Sequence, residues 1–284
     1  MLFFLALTAF LAGCKRTATV EVPKTLLHAK SATLEELVDI VNQYNDIQAL
    51  RVRIRAEYTS QMKDNDQIEL EKYPRAPGYV LFKRPDTTYL VIQNPVLKKK
   101  EISFLSEGDD FRVWIHGKQK FYIGKNSSKD LVSEALEENP KIPIRAAHIF
   151  QAILLDPISV SDPGCRISRI ETQDENRKYY ILTIYQDEGS VLLRPLREIH
   201  IERVNLTISR QRIFDAGGRI KADISYENVG QTGKYTFPDK MHMERPLDGY
   251  SLELELSEWA VDPVINDDLL KLEPPPGVDV IQFK

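Results

Sequence analysis

The chain has 284 residues, 42% hydrophobic and 28% charged, with 38 Lys+Arg against 42 Asp+Glu and 2 cysteines. This is globular composition: it excludes a disordered, collagenous or multiply membrane-spanning protein, and so few cysteines exclude a disulfide-dense scaffold or a zinc site built mainly from thiolates. A formal net charge of -4 supplies no electrostatic footprint for nucleic acid, and no nucleic-acid partner is expected.

The run Leu2 to Ala12 is apolar apart from Thr8, and at roughly a dozen residues it is shorter than the ~20 that cross a bilayer. It fits the apolar region of a secretory signal and ends Leu11-Ala12-Gly13-Cys14 before the polar Lys15-Arg16. That ending resembles a bacterial lipobox. The resemblance implies cleavage between Gly13 and Cys14, lipid attachment at Cys14 and membrane binding through the N-terminal lipid. Residues 1–13 are then a lipoprotein signal peptide and 14–32 a lipid-anchored, flexible tether. In lipoprotein sorting an Asp after the cysteine favours the inner membrane; Lys15 stands there instead, which points to a bacterial envelope protein on the outer membrane, facing the periplasm.

Thr33 with Glu36 makes a capping box, and Leu34, Leu37, Val38, Val41, Tyr44 and Ile47 follow at helical spacing, predicting a helix that ends near Leu50. The period then switches to two: Val52, Ile54, Ala56 and Tyr58 alternate with Arg51, Arg53, Arg55 and Glu57. Strands are predicted at Ile68 to Leu70, Tyr79 to Lys83, Tyr89 to Ile92, Ile102 to Leu105, Phe111 to Ile115 and Phe121 to Ile123, with turns between them. Asp130 to Leu136 and Pro143 to Leu155 read as helices, the second with an apolar stripe of Ile144, Ala147, Phe150, Ile153 and Leu154. Strands resume at Cys165 to Ile170, Tyr179 to Tyr185, Ile199 to Ile208, Ile220 to Tyr226, Lys240 to Glu244, Tyr250 to Trp259 and Val278 to Phe283. No βαβ rhythm occurs, and no linker interrupts residues 33–284, which are read as one domain.

This order of elements resembles the LolA/LolB-like family of bacterial lipoprotein carriers and acceptors. The residues that carry the likeness are Leu37 to Asn42 before the strand at Val52, Gly78 to Pro85, Ser106-Glu107-Gly108 before Phe111, Ile213-Phe214-Asp215 with Gly217-Gly218, Phe237-Pro238, and Pro276-Gly277. The resemblance implies a mainly β (α+β) fold, an incomplete antiparallel β-barrel of roughly 11 strands whose helices close an apolar cavity for acyl chains. Candidate lining residues are Val52, Ile54, Ala56, Tyr58, Val80, Phe82, Leu90 and Ile92 on alternating strands, with Ile149, Phe150 and Ile153 from the covering helix. Core packing alone would also explain every one of them. The loop around Gln61 to Gln67, the counterpart of a membrane-probing loop in LolB-like acceptors, offers only Met62 among charged residues.

Signals for chemistry are sparse. His28, His116, His148, His200 and His242 form no HExxH or i, i+4 pair, so no metal is expected. No nucleophile elbow, P-loop or dinucleotide fingerprint occurs, and no catalytic residue or cofactor is predicted. Glu253, Glu255 and Glu258 invite a glycosidase reading, but Glu253 and Glu255 alternate with leucines and mark a solvent face. Lys98 to Lys100 reads as a solvated turn that could touch anionic head groups, and Cys165 as a small buried strand residue. The expected function is therefore non-enzymatic: binding of acyl chains or lipidated proteins for lipoprotein or lipid transfer at the outer membrane. The alternatives are an envelope scaffold or assembly factor with a self-filled core and, with no residues to support it, an envelope hydrolase.

Overall fold

The structure, a computed structural model, describes residues 28–64, 67–126, 146–174, 176–187, 189 and 193–282, with backbone only at 61–64 and 67–69. The signal peptide, Gly13, Cys14, the predicted helix at Asp130 to Leu136 and the first residues of the helix from Pro143 lie outside the described residues, as does the side chain of Met62.

Thr33 caps helix α1 (Leu34–Asn42): its hydroxyl accepts from Glu36 N, while Glu36 answers the Thr33 backbone N–H. The helix stops at Asn42, well before the expected end near Leu50. Asn42 turns its amide onto the chain after the second helix, donating to Ile158 O and accepting from Ile158 N, and Tyr44 and Ile47 are buried from a turn instead. Residues at the end of the expected tether are pinned rather than free: Lys30 N donates to Arg203 O, and Ala32 N to the Tyr180 hydroxyl.

The sheet is built from β1 (Ala49–Asp64), β2 (Gln67–Lys83), β3 (Thr87–Gln93), β4 (Lys100–Glu107), β5 (Asp110–Ile115), β6 (Lys120–Lys125), β7 (Cys165–Gln173), β8 (Lys178–Asp187), β9 (Leu193–Glu202), β10 (Thr207–Phe214), β11 (Ile220–Thr232), β12 (Tyr235–Arg245), β13 (Tyr250–Val261) and β14 (Asp279–Gln282), with helix α2 (Ala146–Ile153) between β6 and β7. All fourteen strands form one open sheet in the order β14-β6-β5-β4-β3-β2-β1-β13-β12-β11-β10-β9-β8-β7. Every pairing is antiparallel except β14 on β6. The sheet is not closed, and it has fourteen strands among the described residues rather than roughly 11.

The strands read from the sequence differ from the observed ones in extent at three places. The expected strand Ile199 to Ile208 is two strands, because the chain turns at Arg203 to Leu206, where Leu206 adopts φ 58 without any glycine or proline to announce it. The second of these runs on to Phe214, beyond the expected end at Ile208. Conversely, Ile68 to Leu70 and Tyr79 to Lys83 are parts of one strand, β2, that runs through Pro74 and Pro77. Prolines are tolerated there because β3 joins β2 only from Gly78 onward, so that edge is unpaired beside them.

One face of the sheet carries the main core. Among the described residues the other is covered over β2–β6, where Leu81, Tyr89, Val91, Leu105 and Phe121 meet Ile265, Leu270, Leu272 and Val278 from the C-terminal segment, which includes a short 3-10 helix at Asp267–Leu270. This explains why β3 and β4 are buried on both faces and read as plain apolar runs. No described helix is long and apolar enough to cross a membrane.

Candidate functional site

Register aligns the apolar members of the strands into rows across the inner face. One row runs Leu182, Ile199, Gln211, Ile224, Met243, Leu252, Tyr58 and Tyr73. Another runs Val52, Val80, Leu90, Phe104 and Val113, and a third Ile54, Gly78, Ile92 and Ile102. Because side chains alternate across a strand, these rows leave Arg53, Arg55, Glu57, Glu253 and Glu255 on the far face.

Helix α2 lies on the inner face. Phe150 meets Phe82 edge-on at 5.6 Å, His148 Nδ1 is 2.6 Å from the Tyr250 hydroxyl, and the Tyr226 hydroxyl donates to Ala152 O at 2.6 Å. Burial pushes the Tyr226 phenol up, and that of Tyr44 up to about 12, so both stay protonated donors. The helix buries Ala146, His148, Ile149, Ala152 and Ile153. Its buried face is thus rotated from the expected stripe: Ala147 and Phe150 are only half-buried.

The candidate lining residues all reach one cluster. Val52, Ile54, Ala56, Tyr58, Val80, Phe82, Leu90, Ile149 and Ile153 are buried in it, with Ile92 and Phe150 packed against it. Of these, Ile153 borders a void of about 10 Å³ that has room for no more than about one water.

A larger space lies further along the face. A cavity of about 360 Å³ opens between β7–β11 and the chain that follows α2, walled by Ile158, Ile167, Ile184, Leu196, Ile213 and Phe214. Its floor follows the row Ile167, Ile184, Arg197, Ile213, Ala222. Polar side chains line the cavity as well, among them Asp156, Ser159, Asp162 and Lys221; Arg197, half-buried, donates to Asp156 O at 2.7 Å, and Gln211, 1% exposed, donates to Gln151 O while its Oε1 has no partner among the described residues. Burial pushes the Arg197 guanidinium down, opposed by the nearby Asp156 carboxylate. Cys165 also lines this cavity; half-exposed rather than buried, it has its thiol raised by burial and by a hydrogen bond to Asp162. Sequence reasoning missed Arg197 and Gln211, although Arg197 shares the parity of Ile199 and Ile201, and Gln211 that of Ile213.

The opposite face of β8–β12 holds a polar groove of about 960 Å³, lined by Asp174, Arg177, Glu202, Arg210, Asp223 and Glu244 among others. Its central charges are already paired: Arg210 binds Asp223 bidentately at 2.6 and 2.5 Å, and Arg212 bridges Asp223 and Glu198. Burial alone would raise the Asp223 carboxyl, but the two guanidiniums outweigh it and hold the group below the usual range.

The histidines stay apart. His148 is in the core, His200 pairs with Glu198 and His242 with Glu244, and His28 is exposed. Among the described residues no group of His, Cys, Asp or Glu could hold a metal ion. Glu255 pairs with Arg75 and Glu258 with Arg53, as solvent-face residues do. Lys98 to Lys100 are exposed.

An open antiparallel sheet wrapped around helices on its inner face defines an architecture that solved structures share. A DUF1329 family protein from Desulfovibrio piger superposes with a TM-score of 0.53 at 12% identity, covering 83% of this chain and 94% of its own. A domain named for outer membrane lipoprotein sorting, from Vibrio parahaemolyticus, gives a TM-score of 0.50 at 13% identity, covering 84% of this chain and 97% of its own. A LolA superfamily protein from Nitrosomonas europaea aligns over 85% of this chain and 99% of its own at 14% identity, with a TM-score of 0.49. The chain has the LolA/LolB-like fold. No protein-family model matches the sequence, and no curated protein matches it significantly.

Proposed function

We propose that the protein is a non-enzymatic, membrane-anchored lipoprotein of the bacterial envelope that binds acyl chains, free or on a lipidated protein, and serves lipid or lipoprotein transfer at the outer membrane. The observation that carries this reading is the cavity of about 360 Å³ on the inner face, where Ile158, Ile167, Ile184, Leu196, Ile213 and Phe214 form an apolar wall beside polar side chains, at the lower end of the ~300–1,000 Å³ typical of ligand sites. The apolar wall of that open space suits a chain of methylenes, each worth about 0.8 kcal/mol when buried. The anchor is Cys14, cleaved after Gly13, and two or more acyl chains there would give stable membrane attachment.

Protein carrying Cys14→Ala, purified and extracted with organic solvent, is expected to release fatty acid or phospholipid at near one equivalent by mass spectrometry; a lipid-free extract counts against acyl binding. The same substitution should abolish incorporation of radioactive palmitate, and persistent labelling would move the anchor elsewhere. A second reading, a scaffold with a self-filled core, is favoured by one observation: the lining candidates around Val52, Val80 and Phe82 are already packed against the side chains of α2. Depletion separates the two, since lipoproteins accumulating at the inner membrane follow only from transfer.

A further inference from the structure

We infer that the inner-face cavity selects a single-chain amphiphile with an anionic headgroup, carboxylate or phosphate, which Arg197 binds and Lys221 assists. The inference rests on the acyl-binding reading and specifies its ligand.

Arg197 sits where the row Ile167, Ile184, Ile213 and Ala222 is otherwise apolar. Taking a guanidinium out of water is costly unless its donors are answered by charge or hydrogen bonds. Of its five N–H groups, one bond is made, to the carbonyl of Asp156, and no ion pair is formed among the described residues. Lys221, exposed at the same cavity, also lacks an ion pair among the described residues. Three other arginines of this sheet show what a matched guanidinium looks like: Arg210 and Arg212 share Asp223, and Arg245 holds Asp248. Two cations without an ion pair among the described residues, at a cavity lined by both apolar and polar side chains, mark an anion that arrives with a hydrocarbon chain.

Two carboxylates also border the space. Asp162 accepts the Gly164 backbone N–H at 2.9 Å and the Cys165 thiol, so it is engaged within its own turn. Asp156 is exposed, and its carboxylate stays outside ion-pair distance of Arg197. Neither closes the guanidinium's planar fork, whose geometry fits a carboxylate or phosphate bidentately. The volume of about 360 Å³ holds one chain, not several.

The test compares palmitate, lysophosphatidylglycerol and hexadecanol on Cys14→Ala protein stripped of lipid. Affinity is read by competition with a fluorescent fatty acid, and occupancy by protection of the Cys165 thiol from maleimide. Both anionic ligands, or one of them, should bind at least about tenfold tighter than hexadecanol, the scale of charge-assisted hydrogen bonds; which one does so identifies the source of the anion. Arg197→Gln should remove that preference while leaving hexadecanol affinity unchanged, Arg197→Lys should retain part of it, and Lys221→Gln, at an exposed position, should reduce it about twofold. Equal binding of anionic and neutral ligands, or equal weakening of both by Arg197→Gln, overturns the anion site while leaving acyl binding standing. Failure of all three ligands to bind or to protect Cys165 overturns acyl binding as well. If Arg197→Gln does not fold, the wild-type preference and the Lys221→Gln effect still decide the matter.

Discussion

Gly78→Ala is expected to destabilise the protein by about 3 kcal/mol or more, at the upper end of overpacking costs. Gly78 lies in the row between Ile54 and Ile92, on the long hairpin that joins the two halves of the sheet. A β-carbon there would stand 2.1 Å from Val91 O, 3.2 Å from its carbonyl carbon and 3.4 Å from Ile54 Cγ1. The first contact is with backbone of the neighbouring strand, so relief requires β2 and β3 to separate rather than a side chain to rotate. Gly230→Ala is the matched control: a strand glycine with nothing within 4 Å of the added carbon. It should be neutral or stabilising by about 0.5 kcal/mol, since alanine narrows the unfolded ensemble. At ~2–4 °C per kcal/mol for a protein of this size, melting should fall by roughly 6–12 °C for Gly78→Ala and hold or rise for Gly230→Ala. Equal melting temperatures for the two variants would mean that the strands do not approach as closely as described.

That close approach is invisible in the sequence, where Gly78 is one strand glycine among several. Local patterns were legible. The capping box at Thr33 and Glu36 fixes where α1 begins, and the strict alternation in Val52 to Tyr58 and Leu252 to Leu256 gives both the strands and their faces. What stayed hidden depends on partners distant in the chain. β2 crosses Pro74 and Pro77 because no strand flanks it there, α1 ends at Asn42 because Ile158 takes its amide, and Leu206 turns the chain with a positive φ that its residue type disguises. The strands themselves followed those local signals, whereas the figure of roughly 11, which came from the family resemblance, fell short of the fourteen observed.

The inner face was legible for the same reason the strands were: period two assigns Val52, Ile54, Val80 and Phe82 to one side whatever lies above them. Which part of that side is filled was not. The packing of Ile149, Ala152 and Ile153 against the middle of the sheet, and the open space beside β7–β11, come from how α2 and residues 156–165 settle on it. Arg197 was within reach, since a cation two residues before Ile199 and four before Ile201 breaks an apolar stripe. A charge in the inward phase of a strand is the signal that would have located the cavity.

Asp248→Ala is expected to cost about 3 kcal/mol, the lower end of the penalty for removing one partner of a buried ion pair. Arg245 is 2% exposed at the end of β12; its Nε binds Asp248 Oδ2 at 2.5 Å, and its Nη2 has no partner among the described residues. Without Asp248 a guanidinium would remain in the core with its charge unanswered. Asp248 itself is partly exposed, so water can reach its place and keep the cost from the upper end. Arg245→Met should cost less, and Arg245→Met with Asp248→Ala should recover most of the loss, because an apolar side chain of similar length needs no counter-charge. Urea unfolding of the two single variants and the double decides this; a double variant no more stable than Asp248→Ala would show that the pair is not the reason for the loss. The consequence reaches the cavity side of the sheet. Arg245 is paired in register with Tyr250, whose hydroxyl holds His148 of α2 at 2.6 Å. Loosening this turn should therefore free one end of the covering helix, and Asp248→Ala should bind more of a dye for exposed apolar surface below its unfolding transition, whereas Gly230→Ala should not.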